Sequence, residues 1–373
     1  MNRRDWLTGT TALALLAKLG LLPSAAHAGV GSSSPSTSSR LITSRRAGEH
    51  YEAVLLEPDG TLVATRRLPD RGHSFAISST RRHVVAFGRQ PGFYAYVLDA
   101  TTLALRQEIT PNENRHFFGH GVFSTDDRYF YATENDYEQG RGVIGVYAVD
   151  ESGRFHRVTE WSTQGIGPHE VILTPDGKTL CVANGGLLTH PDYGKHPLNL
   201  AEMRPSLAYL DLATGTLREQ VFLPEKWHKL SIRHLAMDAQ QRVWVGCQYM
   251  GSRGDDVPVV GVHTAGSALE MMWGPDALRR EMRHYVGSMA ASSDGQLVAA
   301  SSPVGGRVVI WDTNTMAVRD SLSYADVCGI AALGPTSFLA SSGTGEVQRI
   351  EPGGHVSLRH VNGTAWDNHI RAL

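Results

Sequence analysis

The sequence has few cysteines, no surplus of basic residues and no apolar run long enough to cross a membrane. Its 3 cysteines are an odd number, so they cannot all pair and a disulfide framework does not hold the fold together. The 35 Lys and Arg residues are matched by 37 Asp and Glu residues, so the chain lacks the basic excess typical of nucleic-acid binding. The apolar run at residues 11–22 is well short of the roughly 20 residues that span a bilayer. We therefore expect no nucleic-acid partner and no transmembrane segment in the mature chain.

Common catalytic motifs are also absent from the sequence. It contains no G-x-S-x-G elbow, no H-E-x-x-H zinc motif, no phosphate-binding P-loop and no C-x-x-C-H site for covalent haem. The sequence therefore contains no nucleophile or cofactor signature that would identify an enzyme. The absence of these motifs favours a binding protein and leaves the question of catalysis open.

The first 28 residues have the composition of an export signal. Arg3 and Arg4 precede an apolar run that ends in the A-x-A cleavage pattern Ala26-His27-Ala28. The arginine pair, followed by an aromatic residue and leucine, resembles the twin-arginine signal for export of folded proteins. We therefore expect a periplasmic mature chain that begins with a flexible, Ser-rich leader over residues 29–39.

A repeated strand pattern accounts for the rest of the chain. In each repeat, two runs of β-branched and aromatic residues flank a turn such as PDG or SDG, and a third and usually a fourth run follow. Four antiparallel strands per repeat are typical of a propeller blade. The repeats begin 40 to 65 residues apart, at His73, His120, His169, His234, Gly287, Gly329 and His369. These seven starts predict seven blades.

The seventh repeat has only one strand before the chain ends. Three apolar runs within residues 40–69, LITSRRA, YEAVLLE and TLVATRRLP, can supply its partners. We therefore predict one all-β domain over residues 40–373, a seven-bladed β-propeller of the WD-like or quinoprotein-like type. Pairing of the C-terminal strand with the N-terminal strands would close the ring and remove its exposed edges. An irregular β-sandwich or a pair of domains is the alternative.

Histidine recurs at the position that should line the central channel. The first strand of a propeller blade lies next to the channel, and five consecutive blades begin with histidine: His73, His120, His169, His234 and His369. Imidazole binds iron, copper and zinc. Three neighbouring side chains could converge on one ion, whereas five spread over more than half the ring are not expected to, so a subset or a larger cofactor such as haem is predicted. The alternative is a structural role, as for the Gly-His pair of WD repeats.

Polar residues close to this predicted channel face could assist a ligand. Glu170 and Asp367 adjoin histidines in sequence and could hold an imidazole in one tautomer. Five further residues, four of them at or next to loops that return to the same face, are candidates for contacting a cofactor: Arg89, Glu134, Asn184, Arg233 and Gln248. The loop over residues 184–206 is unusually long for a propeller, and long loops on a rigid scaffold often carry function.

Several motifs resemble those of domain-of-unknown-function family 1513, a group of propellers exported by the twin-arginine pathway. They are GHSFA, FGHGVFS, GPHEV, IRHLA and NGGLLTHPDYGKHPLNLAEMRPSLAYLD, and the resemblance extends from about residue 40 to 369. It implies a role in iron or haem handling, with imelysin-type proteins and di-haem oxidoreductases of periplasmic iron acquisition as partners. No catalytic residue is established for the family, so the resemblance assigns none here.

These observations together predict a periplasmic propeller that binds iron, copper or haem at a histidine-lined face as part of a metal-uptake system. One alternative is a propeller enzyme, either a lactonase-like hydrolase or a quinoprotein-like oxidoreductase, with a histidine as general base. Another is a scaffold that docks partner proteins through its loop face.

Overall fold

A computed structural model describes residues 40–194 and 196–373, so the predicted export signal and Ser-rich leader lie outside the described residues. Strands β1 (Leu41–Ala47), β2 (His50–Leu56) and β3 (Leu62–Leu68) open the domain. Blade 1 contains β4 (Gly72–Ile77), β5 (His83–Gly88), β6 (Ala95–Asp99) and β7 (Leu105–Ile109). Blade 2 contains β8 (Arg115–Phe123), β9 (Tyr129–Asp136), β10 (Arg141–Val149) and β11 (Phe155–Ser162). Blade 3 contains β12 (Pro168–Leu173), β13 (Thr179–Asn184), β14 (Ser206–Asp211) and β15 (Leu217–Phe222).

The second half of the domain repeats this organisation. Blade 4 contains β16 (Leu230–Met237), β17 (Val243–Tyr249), β18 (Val260–His263) and β19 (Glu270–Met271). Blade 5 contains β20 (Ser288–Ala291), β21 (Leu297–Ser302), β22 (Arg307–Asp312) and β23 (Ala317–Ser323). Blade 6 contains β24 (Val327–Ala332), β25 (Phe338–Ser342), β26 (Glu346–Glu351) and β27 (Gly354–His360), and β28 (Thr364–Ala372) follows it. The described helices are short: α1 (Asp276–Glu281) and two 3-10 turns, Pro191–Tyr193 and Glu225–Trp227.

The strands form seven four-stranded sheets, which confirms the predicted seven-bladed propeller. In blade 7 the strand order is β28-β1-β2-β3, so the last strand of the chain pairs antiparallel with the first, with Leu41 opposite Ala372. The first strands of consecutive blades contact one another around a closed ring, from β4 through β8, β12, β16, β20 and β24 to β28. These seven strands surround the central channel.

Apolar side chains are buried mainly between neighbouring blades. The middle strands are buried on both faces, as in β5, where Val85 and Phe87 pack with Phe117 and Phe130 of blade 2. The outermost strands are far more exposed, as the alternating burial of β7 illustrates. Blades therefore stack face to face through their second and third strands. The first strand of each sheet, which lines the channel, can then carry polar residues.

Tight turns connect the first and second strands as the PDG and SDG motifs predict. In blade 3 the Asp176 carboxylate accepts hydrogen bonds from the Thr174 hydroxyl and the Lys178 amide, and Gly177 adopts a φ of +66°. A short acidic side chain and a glycine are suited to these positions because one bonds the turn backbone and the other tolerates a positive φ.

Candidate metal centre

Five histidines from five consecutive blades meet inside the channel. His73, His120, His169, His234 and His369 lie on β4, β8, β12, β16 and β28, and we call them the histidine cluster. All five are buried, and none is more than 7% exposed. The ring centroids of the recorded neighbouring pairs are 4.6 to 6.2 Å apart. The rings thus form one packed group and are not spread around the channel wall, although only subsets of three bring their ligand nitrogen atoms close enough together for one ion.

His120 lies at the centre of the histidine cluster. Its ring contacts those of the other four members, with centroid distances of 4.6 Å to His369 and 6.2 Å to His234. The Nε2 atoms of His120 and His73 lie 3.2 Å apart. His120 is therefore the one member of the cluster whose ring contacts all the others.

Irregular strand pairing brings the histidines this close. In each of the five inner strands the register against a neighbouring strand shifts at or beside the histidine, as between Pro168 and Glu170 in β12 and between Phe117 and Gly121 in β8. A β-bulge bends the strand and redirects its side chains, so consecutive residues can both face the same side. The bulges explain why His169 and Glu170 are both buried at the cluster although they are adjacent in sequence.

Gly119 is required next to the central histidine. It adopts a φ of +101°, and a Cβ atom at this position would lie 2.4 Å from Cδ2 of His73. Both the left-handed backbone and the missing side chain are therefore needed for the rings of His73 and His120 to pack together.

Two overlapping groups of three could hold a metal ion. One consists of His73, His120 and His369 and the other of His120, His169 and His234; within each, the ligand nitrogen atoms lie within 4.8 Å of one another. Two nitrogen ligands at about 2.0–2.1 Å from a tetrahedral ion are separated by about 3.3 Å. The 3.2 Å separation of the His73 and His120 nitrogen atoms already matches this value. The third imidazole of each triad offers a nitrogen within the 4.8 Å limit.

Glu170 lies against two members of the cluster. Its Oε1 is 3.7 Å from Nδ1 of His120, and its Oε2 is 3.4 Å from Nδ1 of His234. On its other side the carboxylate accepts a hydrogen bond from Arg371. A carboxylate that faces Nδ1 favours the tautomer whose Nε2 lone pair is free to bind a metal.

The electrostatic environment keeps the imidazoles neutral and the carboxylate ionised. Burial lowers the pKa of every cluster histidine, in the case of His120 to about 3. Burial alone would raise the pKa of Glu170, but the charge of Arg371 and the contacts with His120 and His234 lower it by more, so its pKa lies below the ordinary value. Neutral imidazoles offer free lone pairs at neutral pH, as metal binding requires.

Several cluster nitrogens have no hydrogen-bond partner among the described residues. They are Nδ1 of His73, Nδ1 of His169, Nδ1 of His234 and Nε2 of His369, all of them buried. Buried polar atoms are nearly always hydrogen bonded, because desolvation without a partner is costly. A purely structural ring would be expected to satisfy these atoms, so their environment favours a ligand at the cluster.

A pocket of about 350 Å³ opens above the cluster, and we call it the channel pocket. Its lining includes His73, His169 and His234, which form part of its floor. Three of the residues predicted to contact a cofactor also line it: Arg89, Arg233 and Gln248. The loops after β5, β13 and β17 contribute to its wall, so the loop face and the histidine cluster meet at this pocket.

The other predicted residues lie elsewhere. Glu134 is enclosed within blade 2, where it accepts hydrogen bonds from Tyr147 and Arg157. Asn184 donates hydrogen bonds to the Thr163 carbonyl oxygen and the Ser206 hydroxyl, so it secures the base of the long loop. Neither side chain lines the channel pocket.

Asp367 is paired with an arginine and not with a histidine. Its carboxylate accepts a hydrogen bond of 2.5 Å from Arg71. Sequence proximity to His369 suggested a contact with that imidazole, but the carboxylate pairs with Arg71 instead, at the place where the register of β28 against β1 shifts.

Sequence reasoning missed Arg371, Tyr285 and Asn368. Arg371 lies two residues after His369 on β28, and such spacing on a strand places both side chains on one face, so this pattern could have identified it. Tyr285 and Asn368 line the channel pocket and hydrogen bond to each other at 3.0 Å. No local motif marks either residue, since they come from different blades.

The cysteines take no part in the candidate site. The two groups found among the described residues that could hold a metal contain only histidine. Burial raises the pKa of Cys247 and of Cys328 to about 12, so both remain protonated thiols at neutral pH.

In residues 40–194 and 196–373 no helix combines the length and apolar character needed to cross a bilayer.

The fold and this site define a seven-bladed propeller with a buried histidine cluster that could bind a metal ion. Residues 66–373 match the family described as "Protein of unknown function (DUF1513)", and the chain belongs to that family, as its motifs predicted. No curated protein matches the sequence. Among solved structures, a chain of Kuenenia stuttgartiensis hydrazine synthase is similar, with a TM-score of 0.62 and 14% identity over 81% of this chain and 90% of that chain. Similarity at this identity shows the shared propeller fold alone.

Proposed function

We propose that this protein binds a single iron or copper ion in the histidine cluster and serves a periplasmic metal-acquisition system. The observation that carries the proposal is the pair of overlapping histidine triads, which share His120. Imidazole is a borderline ligand suited to both metals. One ion is expected because Glu170 faces Nδ1 of the shared imidazole, which leaves only Nε2 of that ring for coordination.

The residues present fit a single ion better than haem. The rings of His73, His120 and His369 pack edge to face with centroids 4.6 to 4.9 Å apart, which leaves no slot for a planar macrocycle between them. A haem would therefore have to lie in the channel pocket, whose volume of about 350 Å³ is at the small end of the usual range for ligand sites.

The cellular part of the proposal is supported by the N-terminal sequence. The arginine pair, apolar run and A-x-A pattern of residues 1–28 are typical of twin-arginine export to the periplasm. Imelysin-type proteins and di-haem oxidoreductases are the partners that the family resemblance suggests for iron uptake. Periplasmic fractionation of cells that express the full chain, with an Arg3→Lys/Arg4→Lys variant as the control, tests the export step.

Metal analysis of protein without a His tag tests the binding site. The mature chain, treated with chelator, would be titrated with Fe(II), Cu(II) and Zn(II), and the bound ion counted by elemental analysis. We expect one iron or copper ion per chain, and His120→Asn should lower the affinity at least 100-fold because both triads lose their shared ligand. His263→Asn is a matched control, because His263 of blade 4 is also buried but lies outside the cluster, where it hydrogen bonds to Tyr209 of blade 3 and to the Ser267 carbonyl oxygen.

Two outcomes would contradict the proposal. A folded, metal-free protein that takes up none of the three ions would exclude a metal site at the cluster. Equal affinities in wild type and His120→Asn, with native circular dichroism for both, would place the bound ion elsewhere. Either outcome would return attention to an interaction scaffold or a cofactor-free hydrolase.

A further inference from the structure

The channel pocket has an unbalanced positive charge. Arg89 and Arg233 are the charged residues of its described lining other than histidine, and no Asp or Glu belongs to that lining. The two guanidinium groups are close enough for the charge of Arg89 to add to burial in lowering the pKa of Arg233. Two like charges that share a pocket are unfavourable unless an anion joins them.

Neither arginine forms an ion pair with a described residue. Arg233 is half-buried, and its Nε is buried without a hydrogen-bond partner among the residues that the structure describes. Arg371 on the other side of the cluster is different, because it pairs with Glu170. A guanidinium whose Nε is buried without a partner loses hydration there and gains nothing in return, so its position at the pocket indicates a ligand that supplies acceptors.

Neutral polar groups complete the lining around the arginines. Gln248, Ser231, Asn368 and Tyr285 face the same pocket. The Tyr285 hydroxyl accepts a hydrogen bond from the Asn368 amide at 3.0 Å, so its own proton remains available to a further acceptor. The wall therefore offers several donors in addition to the two guanidinium forks.

A metal ion in the histidine cluster would increase the charge imbalance. Five neutral imidazoles contribute no negative charge, and the carboxylate that lies against them, Glu170, is already paired with Arg371. A divalent cation next to Arg89 and Arg233 would therefore need an anion from outside the protein to reduce the local positive charge. An oxygen of that anion could occupy a coordination position that the imidazoles leave open toward the pocket.

We propose that the channel pocket binds a small organic polycarboxylate, held by Arg89 and Arg233, which shares the metal ion with the histidine cluster. Guanidinium groups bind carboxylates through paired hydrogen bonds, and the cavity of about 350 Å³ admits a molecule of this size. Anion binding by the arginines stands on the pocket alone, whereas the shared coordination rests on the proposed metal site. The protein would then bind a metal together with its carboxylate chelator.

Calorimetric titration with tricarballylate tests the anion site. This tricarboxylate lacks the hydroxyl group that makes citrate a strong chelator, so it can be titrated into metal-free protein and, separately, into metal-loaded protein. We expect saturable 1:1 binding to metal-free protein, weakened about 10- to 100-fold by Arg233→Gln or Arg89→Gln, since a hydrogen bond to a charged group is lost. Arg82→Gln, at an exposed position outside the channel pocket, is the matched control and should bind as wild type does.

The metal-loaded titration tests the shared coordination. Binding of the tricarboxylate should tighten when metal is present, and by reciprocity the tricarboxylate should increase metal affinity by the same factor. Equal tricarboxylate affinities with and without metal would overturn the shared coordination while leaving the anion site intact. Tricarboxylate binding that needs both arginines in a protein that takes up no metal would overturn the proposed function alone.

Two results would overturn the polycarboxylate site itself. One is the absence of binding to metal-free protein at millimolar tricarballylate, with wild-type thermal stability confirming that the protein is folded. The other is arginine-dependent binding of inorganic phosphate with no binding of tricarballylate, which would assign the pocket to a different class of anion.

Discussion

Mild acid should destabilise the metal-free protein before its carboxylates titrate. In the folded protein burial holds the pKa of four cluster histidines far below the ordinary value: His73, His120, His169 and His369. In the unfolded chain each imidazole takes up a proton with a pKa of about 6.5. Below that pH the unfolded state therefore binds more protons than the folded state, so the free energy of unfolding falls as the pH falls.

The size of this effect follows from proton linkage. Each histidine that stays neutral in the folded protein contributes a loss of about 1.2 kcal/mol between pH 7.0 and pH 5.5, or about 5 kcal/mol for the four. Glu170 adds no opposing change, because its pKa is held low and it remains ionised throughout this range. The loss is comparable with the whole stability of a marginally stable domain, about 5 kcal/mol.

Urea unfolding of chelator-treated protein at pH 7.0 and pH 5.5, followed by tryptophan fluorescence, measures this loss. His120→Asn removes one titrating group, so the difference between the two pH values should shrink by about 1.2 kcal/mol. His156→Asn is the control, because His156 lies exposed on the outer strand of blade 2 beside Asp150, and the difference should stay the same. Equal free energies of unfolding at the two pH values would refute a buried, neutral cluster.

Three further substitutions separate the parts of the site. Glu170→Gln keeps the shape but removes the charge next to the cluster, so metal affinity measured by titration should fall about 10- to 100-fold, and an unchanged affinity would exclude its supporting role. Gly119→Ala places a methyl group 2.4 Å from the His73 ring at a φ of +101°, so Tm and metal content should both fall, whereas native values would show that the cluster tolerates repacking. Glu134→Gln leaves Arg157 without its buried charged partner, so the free energy of unfolding should drop by about 3 kcal/mol while metal affinity is retained; a loss of metal would link blade 2 to the site.

The blade repeat was predictable because it depends on local chemistry. Alternating apolar residues, PDG and SDG turns, and regular spacing specify strands and hairpins within short segments. Closure of the ring was predictable as well, since a single strand at the C-terminus needed partners and residues 40–69 offered three. The pairing of β28 with β1 confirms that reasoning.

The arrangement of the site was less predictable because it depends on irregular pairing. An ideal strand alternates its side chains, and on that basis His169 and Glu170 should face opposite ways. The bulge in β12 directs both into the channel and brings Glu170 to His120 and His234, which lie on other blades. Asp367 shows the opposite outcome. Its position two residues before His369 predicted a contact with the cluster, but its carboxylate forms an ion pair with Arg71.

The sequence by itself determined the number of blades, the way the ring closes and the placement of histidine on five inner strands, because each depends on residue type and periodicity. The tertiary structure alone decided that five imidazoles pack into one buried group around His120 and that Arg89 and Arg233 share a pocket above it. Those contacts join residues from different blades, and their distances depend on the bulges and on the width of the closed ring. Neither property is encoded in any local stretch of the chain.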